Sequence, residues 1–376
     1  MASEEIIRKA IKDLSQIDEV LDNHFLIVET NDGTTIIKLE NFVLGKGNVS
    51  FAQQIDDNTD TLNSTITTNI SSVSLVTDLS ATKPTTSKIV YVKGYTSEFD
   101  GAEGLFKWNS GSNSSNNFGT VLEPVSADST GRWERIIVDS INPKWFGAKG
   151  DNSTDDTIAI YNSLTAANNT YPLRFPQGTY LTDKQEIYSN TIIYGENATI
   201  KLNSSVDTSL FSISGRNDLL LSGLTIDGNS STSASPVIDI LDSSNVIIEK
   251  SKIINGSGIG IRANNTTYFK LIGSNVTDNG TIGVVLSGNT STLSKYNLLT
   301  NNIFTNNAID IVESGVSNTN LVASNILTNS LIVSGNNSIN DVLNRQRYDS
   351  TFTTMQENSG VWQETYTTVN VNSGGW

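Results

Sequence analysis

The side chains able to do chemistry in this 376-residue sequence are its carboxylates. Cysteine is absent and the one imidazole is His24. Thiol nucleophiles, disulfide frameworks, cysteine-ligated metals and histidine-based triads therefore drop out. Paired carboxylates can cleave a glycosidic bond when held about 5 to 5.5 Å apart (retaining) or about 6.5 to 9.5 Å apart (inverting). Two local pairs qualify by spacing: Asp239 with Asp242, and Asp310 with Glu313. Arg262 could accompany them by neutralising an anionic sugar, and Arg262, Asp239 and Asp310 are the candidate carbohydrate contacts. Asp227 and Asp278 sit in turn-like contexts, and Asp155 and Asp156 read as capping residues.

Composition narrows the setting. A formal charge of -15 argues against a phosphate-binding surface, so nucleic acid is not an expected partner. No apolar run reaches the roughly 18 residues that span a bilayer, and residues 1–21 lack the apolar core of a signal peptide, so neither membrane insertion nor Sec-type export is expected. No column of Asp suits calcium, and no metal or cofactor is expected. Abundant Asn, Ser, Thr and Gly with only 6 Pro indicate a chain rich in strands and turns.

The elements that position these residues come in sequence blocks. In residues 1–50, Ile7, Leu14 and Leu21 mark a short heptad seam, either a self-associating helix or one packed on its own domain, and a hairpin follows, broken at Asn31-Asp32-Gly33. In residues 51–78 a second heptad seam runs through Ile55, Leu62, Ile66 and Val73, a coiled coil or an extended Thr/Ser-rich linker. Residues 79–140 read as a small β module with Trp108 and Trp133 in its core.

From Ile141 the text becomes specific: Lys144-Trp145-Phe146-Gly147-Ala148-Lys149-Gly150-Asp151-Asn152-Ser153-Thr154-Asp155-Asp156-Thr157, then Phe175-Pro176-Gln177-Gly178-Thr179-Tyr180. Thr154 or Asp155 would cap a helix to about Ala167, with Ile158, Ala159, Leu164, Ala166 and Ala167 on its apolar face. Such a helix would cover the open end of a solenoid. The segment resembles the opening of pectate-lyase-like right-handed β-helices as found in bacteriophage tailspike and tail-fibre proteins, departing from that pattern at Asn152, where Gly is usual. The module before it, with Gly104-Leu105-Phe106-Lys107-Trp108 and Gly131-Arg132-Trp133, is similar to the small domain that precedes such helices.

Repeats support this reading. Segments starting near Leu210, Val237, Ile259, Ile282, Ile309 and Leu331 recur at about 22 to 27 residues, the length of one solenoid coil. The runs Ile238-Asp239-Ile240, Ile259-Gly260-Ile261, Ile282-Gly283-Val284 and Ile309-Asp310-Ile311 then look equivalent, with Asp239 and Asp310 facing outward. Three coils at about 4.8 Å each would hold those two Asp about 14 Å apart, too far to flank one bond. Asn275, Asn302 and Asn325 would stack into an amide ladder at the turns.

The expected architecture is therefore all-β: a right-handed parallel β-helix over residues 141–345, with a closing or docking segment at 346–376 carrying Trp362, Tyr366 and Trp376. The resemblance implies a homotrimer in the virion tail, attached through its N-terminal region to a tail or baseplate protein and engaging host-surface polysaccharide, with or without cleaving it. A purely structural adaptor or shaft is the competing expectation.

Overall fold

The computed structural model describes residues 25–30, 33–38 and 70–343, apart from residues 87, 126–129, 204–207, 231–234, 290–293, 316 and 334–338. The heptad positions Ile7, Leu14, Leu21, Ile55, Leu62 and Ile66, and the segment 346–376, lie outside the described residues. Phe25–Thr30 and Gly33–Lys38 form an antiparallel hairpin with Phe25 opposite Lys38.

Val73 does not continue a heptad seam. Ile70–Val73 is a strand, parallel to Ile89–Val92, and opens a five-stranded sheet completed by Gly104–Asn109, Arg132–Arg135 and Val121–Leu122. A run of Ile, Ser, Ser and Val has little helical propensity and packs well on a pleated surface, which is why the sheet takes it. Val73 packs against a core of Val76, Leu79, Val90, Val92, Phe106, Trp108, Leu122 and Trp133. The two tryptophans meet edge to face with centroids 5.4 Å apart.

The rest is a parallel β-helix of about six coils. Sheet 1 has seven strands: Gln185–Glu186, Phe211–Ser214, Ile238–Leu241, Ile259–Asn264, Ile282–Gly288, Ile309–Gly315 and Leu331–Val333. Sheet 2 includes Ile192–Gly195, Asn217–Ser222, Ser244–Glu249, Lys270–Ile272 and Leu298–Thr300. Sheet 3 includes Gly178–Thr182, Ala198–Leu202, Thr225–Asp227, Lys252–Ile254, Asn275–Thr277 and Ile303–Thr305. The strand Leu321–Leu327 spans the corner and joins sheets 2 and 3. Inside, Ile, Leu, Val and Phe stack coil on coil, as in Ile200, Ile226, Ile253, Val276 and Phe304. Each such buried side chain contributes about 1.5–3 kcal/mol relative to exposure.

Helix α1 (Val76–Ser80) belongs to the small module, and helix α2 (Thr157–Ala167) packs over the first coils. Its buried face is Ala159, Ile160, Ser163, Leu164 and Ala167, whereas Ile158 is 69% exposed. The expected face thus takes Ile160 in place of Ile158, because spacings of three and four residues select 160, 163, 164 and 167 together.

Corners explain the Asn content twice over. Asn190, Asn197, Asn229, Asn245, Asn255, Asn265, Asn301 and Asn306 hold left-handed backbone, which Asn tolerates better than bulkier residues. Other asparagines form ladders inside. Asn297 Nδ2 donates to Thr266 O and its backbone N–H to Asn320 Oδ1, Asn302 Nδ2 donates to Leu271 O and Asn325 Oδ1, and Asn279 Nδ2 to Asn307 Oδ1. The expected ladder through Asn275 is corrected by one residue: Ser274, fully buried, holds that place, and its backbone N–H donates to Asn302 Oδ1 at 2.9 Å. Asn275 itself lies on the half-exposed side of its strand.

Candidate functional site

The conspicuous motif is structural. Trp145 and Phe146 lie in a 3-10 turn (Pro143–Phe146) that joins the small module to the β-helix. Arg135, buried at the end of the last module strand, donates to the carbonyls of Gly119, Glu103 and Ala102, each at 3.0 Å. Its guanidinium carbon lies 4.5 Å from the ring centroid of Phe106 and 4.5 Å from that of Trp145. Phe146 lies so close to Gly119 that a Cβ there would stand 2.4 Å from its ring.

Asp156 is buried and accepts the backbone N–H groups of Lys149 at 2.7 Å and Gly150 at 3.0 Å. Burial pushes its carboxyl above the usual carboxylate range, with those two hydrogen bonds opposing. Asp151, fully exposed, accepts from Thr154 N at 2.7 Å and Ser153 N at 2.9 Å, which hold it well below that range. Asn152 has φ 62°, the reason the family pattern prefers Gly there and Asn serves. Asp156 stands at the N-cap of the helix without a side-chain cap bond, and Asp155, one residue before it, accepts Thr157 N at 2.9 Å.

The two candidate carboxylate pairs part company. Asp239 is paired across sheet 1 with Arg262, not with Gly260: Ile238-Asp239-Ile240 registers on Ile261-Arg262-Ala263, two residues beyond the expected run. Arg262 binds Asp239 through two of its three guanidinium nitrogens, Nε to Oδ1 at 2.8 Å and Nη2 to Oδ2 at 2.7 Å, and these bonds hold the guanidinium above its ordinary value. Asp242, in left-handed backbone at the end of that strand, accepts Asn265 Nδ2 at 2.9 Å. Asp239 and Arg262 are part-exposed, on the outer face of sheet 1.

Asp310 and Glu313 are both fully buried, which corrects the outward placement of Asp310. Asp310 accepts Asn307 Nδ2 at 3.0 Å and Asn329 N at 2.6 Å. Glu313 continues the interior column Ile240, Ala263, Leu286 and accepts Asn320 Nδ2 at 2.7 Å. Each carboxylate ends an amide ladder, supplying the acceptor that the last Asn needs. Neither reaches the outer surface. Asp227 ends its strand and accepts Asn229 N at 2.8 Å in the turn that follows, Asp278 follows its strand in left-handed backbone, and their carboxylates take the amides of Asn255 and Asn306.

The outer faces differ in character. Beside the Asp239–Arg262 pair, sheet 1 carries Lys184 paired with Glu186 at 2.6 Å and, further along, Val285 and Val312. Sheet 3 presents Thr179, Thr199, Thr225, Lys252 and Asn275 in one row. Sheet 2 presents Ile192, Leu220, Ile247, Lys270, Leu298 and Leu321 in register, an apolar row broken once. The corner between sheets 1 and 2 holds a feature that sequence reasoning missed: Tyr268 and Tyr296, stacked with centroids 5.3 Å apart and half exposed. No motif marks them, since their adjacency exists only once the coil register is known.

Residues 140–344 match the family model described as rhamnogalacturonase A/epimerase, pectate lyase-like. The chain belongs to that family. This pectate lyase-like β-helix is preceded by residues 72–139, which match the phage tail protein small four-stranded β-sheet domain. The pre-neck appendage proteins of Bacillus phages phi29 and PZA are each 31% identical over 99 residues, 24% of this chain and 11% of theirs, so the match spans about a tenth of those relatives. Among solved structures, the tailspike protein gp49 of Acinetobacter baumannii bacteriophage Fri1, a capsular polysaccharide depolymerase, is 12% identical, with 73% of this chain and 69% of that chain covered and a TM-score of 0.43. Pantoea stewartii WceF, a glycan biofilm modifying enzyme, is 14% identical, with 86% and 52% covered and a TM-score of 0.47.

Proposed function

We propose that this chain is a subunit of a phage tail appendage that presents a pectate lyase-like β-helix to host-surface polysaccharide. The observation that carries the reading is the tandem itself: a phage-tail β-sheet module locked to the β-helix through Arg135, Trp145 and Phe146. A joint buried and hydrogen-bonded to this degree transmits orientation, as an appendage that aims one domain from another requires. The residues before the module, 1–50, are then the part that engages a tail or baseplate protein, and 346–376 would close or dock the far end.

A homotrimer fits the same reading. The apolar row Ile192, Leu220, Ile247, Leu298 and Leu321 runs the length of the helix, so a partner covering it is of similar length, as a second copy would be. The role is binding in the first place, because Asp310 and Glu313 are inside and Asp239 is neutralised by Arg262. The test is incubation of the full chain with surface polysaccharide from strains on which the parent virus grows, following both retained polymer and released oligosaccharide. Retention without release is the expected result. Release would establish a depolymerase, and neither outcome on any permissive strain would leave the structural shaft.

A further inference from the structure

At the corner between sheets 1 and 2, one backbone position recurs coil after coil: Asn190, Asp218, Asn245, Tyr268, Tyr296 and Thr319. Every one of them is left-handed, with φ between 51° and 61°. Asn and Asp suit that conformation because a short polar side chain can hydrogen-bond locally, and Asn245 Nδ2 does donate to Asp218 Oδ1 at 2.7 Å. A tyrosine there is strained and gains no such bond. Burial does not compensate, since Tyr268 is 51% and Tyr296 46% exposed. Strained backbone that displays large side chains to water marks a functional surface more often than a packing solution.

The same corner carries cations. Arg216, one residue before Asn217 in its coil, lies 4.9 Å over the ring of Tyr188, and its buried Nε has no hydrogen-bond partner among the described residues. Lys295 Nζ lies 5.5 Å from the ring centre of Tyr296. Neither cation meets a carboxylate among the described residues, although the chain has 39 acidic against 24 basic side chains. Asp218, the carboxylate of the row, is engaged by Asn245. Two coils separate Arg216 from Tyr268, about 10 Å, the reach of two sugar rings.

We propose that this corner is a binding site for an acidic oligosaccharide lying along the helix axis, with the Tyr268–Tyr296 stack contacting apolar sugar faces and Arg216 a sugar carboxylate. This site deepens the glycan reading above and rests on it. Apolar ring surface tipped by a hydroxyl is suited to sugars, which are apolar on their C–H faces and polar at their edges. The guanidinium fork matches a carboxylate bidentately.

The decisive variant is Tyr268→Asn with Tyr296→Asn, because Asn is the residue this row already accepts and the fold is kept, as circular dichroism would verify. Binding is read against acidic polysaccharide extracted from a permissive strain and against the same polymer with its carboxyls reduced. The full chain should bind the acidic form, the double variant at least about tenfold more weakly. Carboxyl reduction should weaken the unaltered chain and have no further effect on Arg216→Ala. Equal binding by the double variant would overturn this site and leave the glycan reading standing, and indifference to carboxyl reduction would overturn the acidic ligand. No binding of any host polymer by the unaltered chain would instead overturn the glycan reading and this site with it.

Discussion

Glu313 Oε1 accepts a hydrogen bond from Asn320 Nδ2 at 2.7 Å, with both side chains inside the β-helix. An interior built from amide ladders must end somewhere, and a carboxylate at the end satisfies the outermost amide. Asp310 does the same for Asn307 at a second corner. Glu313→Ala should therefore lower stability by about 2 kcal/mol through the stranded amide of Asn320. Guanidinium unfolding measures it, and a wild-type midpoint would refute the assigned role.

The outer pair behaves differently. Arg262 and Asp239 are part-exposed, and exposed ion pairs contribute about 0.2–1 kcal/mol. Arg262→Ala should leave the unfolding midpoint nearly unchanged, so any loss of polysaccharide retention in that variant reads as a lost contact with ligand.

At the joint, Arg135 makes three hydrogen bonds to carbonyls from one planar group while stacking on Phe106 and Trp145. Lysine can neither fork nor stack in this way. Arg135→Lys should cost about 2–3 kcal/mol and make the segment around Val138, already exposed, more sensitive to proteolysis. Unchanged cleavage kinetics would mean that the joint does not depend on the fork.

Asp151 and Asp156, five residues apart, should titrate in opposite directions. Asp156 is raised by burial, so the folded state holds its proton more tightly than the unfolded chain does, and this residue's contribution falls as pH rises through the window above about 4. Asp151 is lowered by hydrogen bonds from Thr154 and Ser153, so its contribution is complete above about pH 4 and is lost as pH falls below. Carboxyl carbon shifts followed by NMR would separate the two. Matching midpoints would contradict the geometry.

If sheet 2 is the subunit contact, Leu220→Asp combined with Ile247→Asp should give monomers by light scattering with the circular dichroism of the helix retained. Both side chains point outward in register, so the core is untouched. An unaltered oligomer would move the contact to another face.

The sequence by itself determined the β-helix, the position of nearly every coil, the tryptophan core of the small module and the turn roles of Asp227 and Asp278. Those are local matters: period-two alternation, turn chemistry and a recurrence of one coil length are written along the chain. The tertiary structure decided which residues share a column. Coils of unequal length slide the register, so Asp239 fell beside Arg262 and away from Gly260. Alternation breaks at Asp310 and Ile311, consecutive residues that are both buried, and Glu313 followed the column of Leu286. Alternation read from one strand cannot report either event, because the inward side of a residue at a corner is set by the coil beneath it. The stacking of Tyr268 on Tyr296, 28 residues away in the chain, is of the same kind: a contact made by the rise of one coil, invisible until the coils are laid on one another.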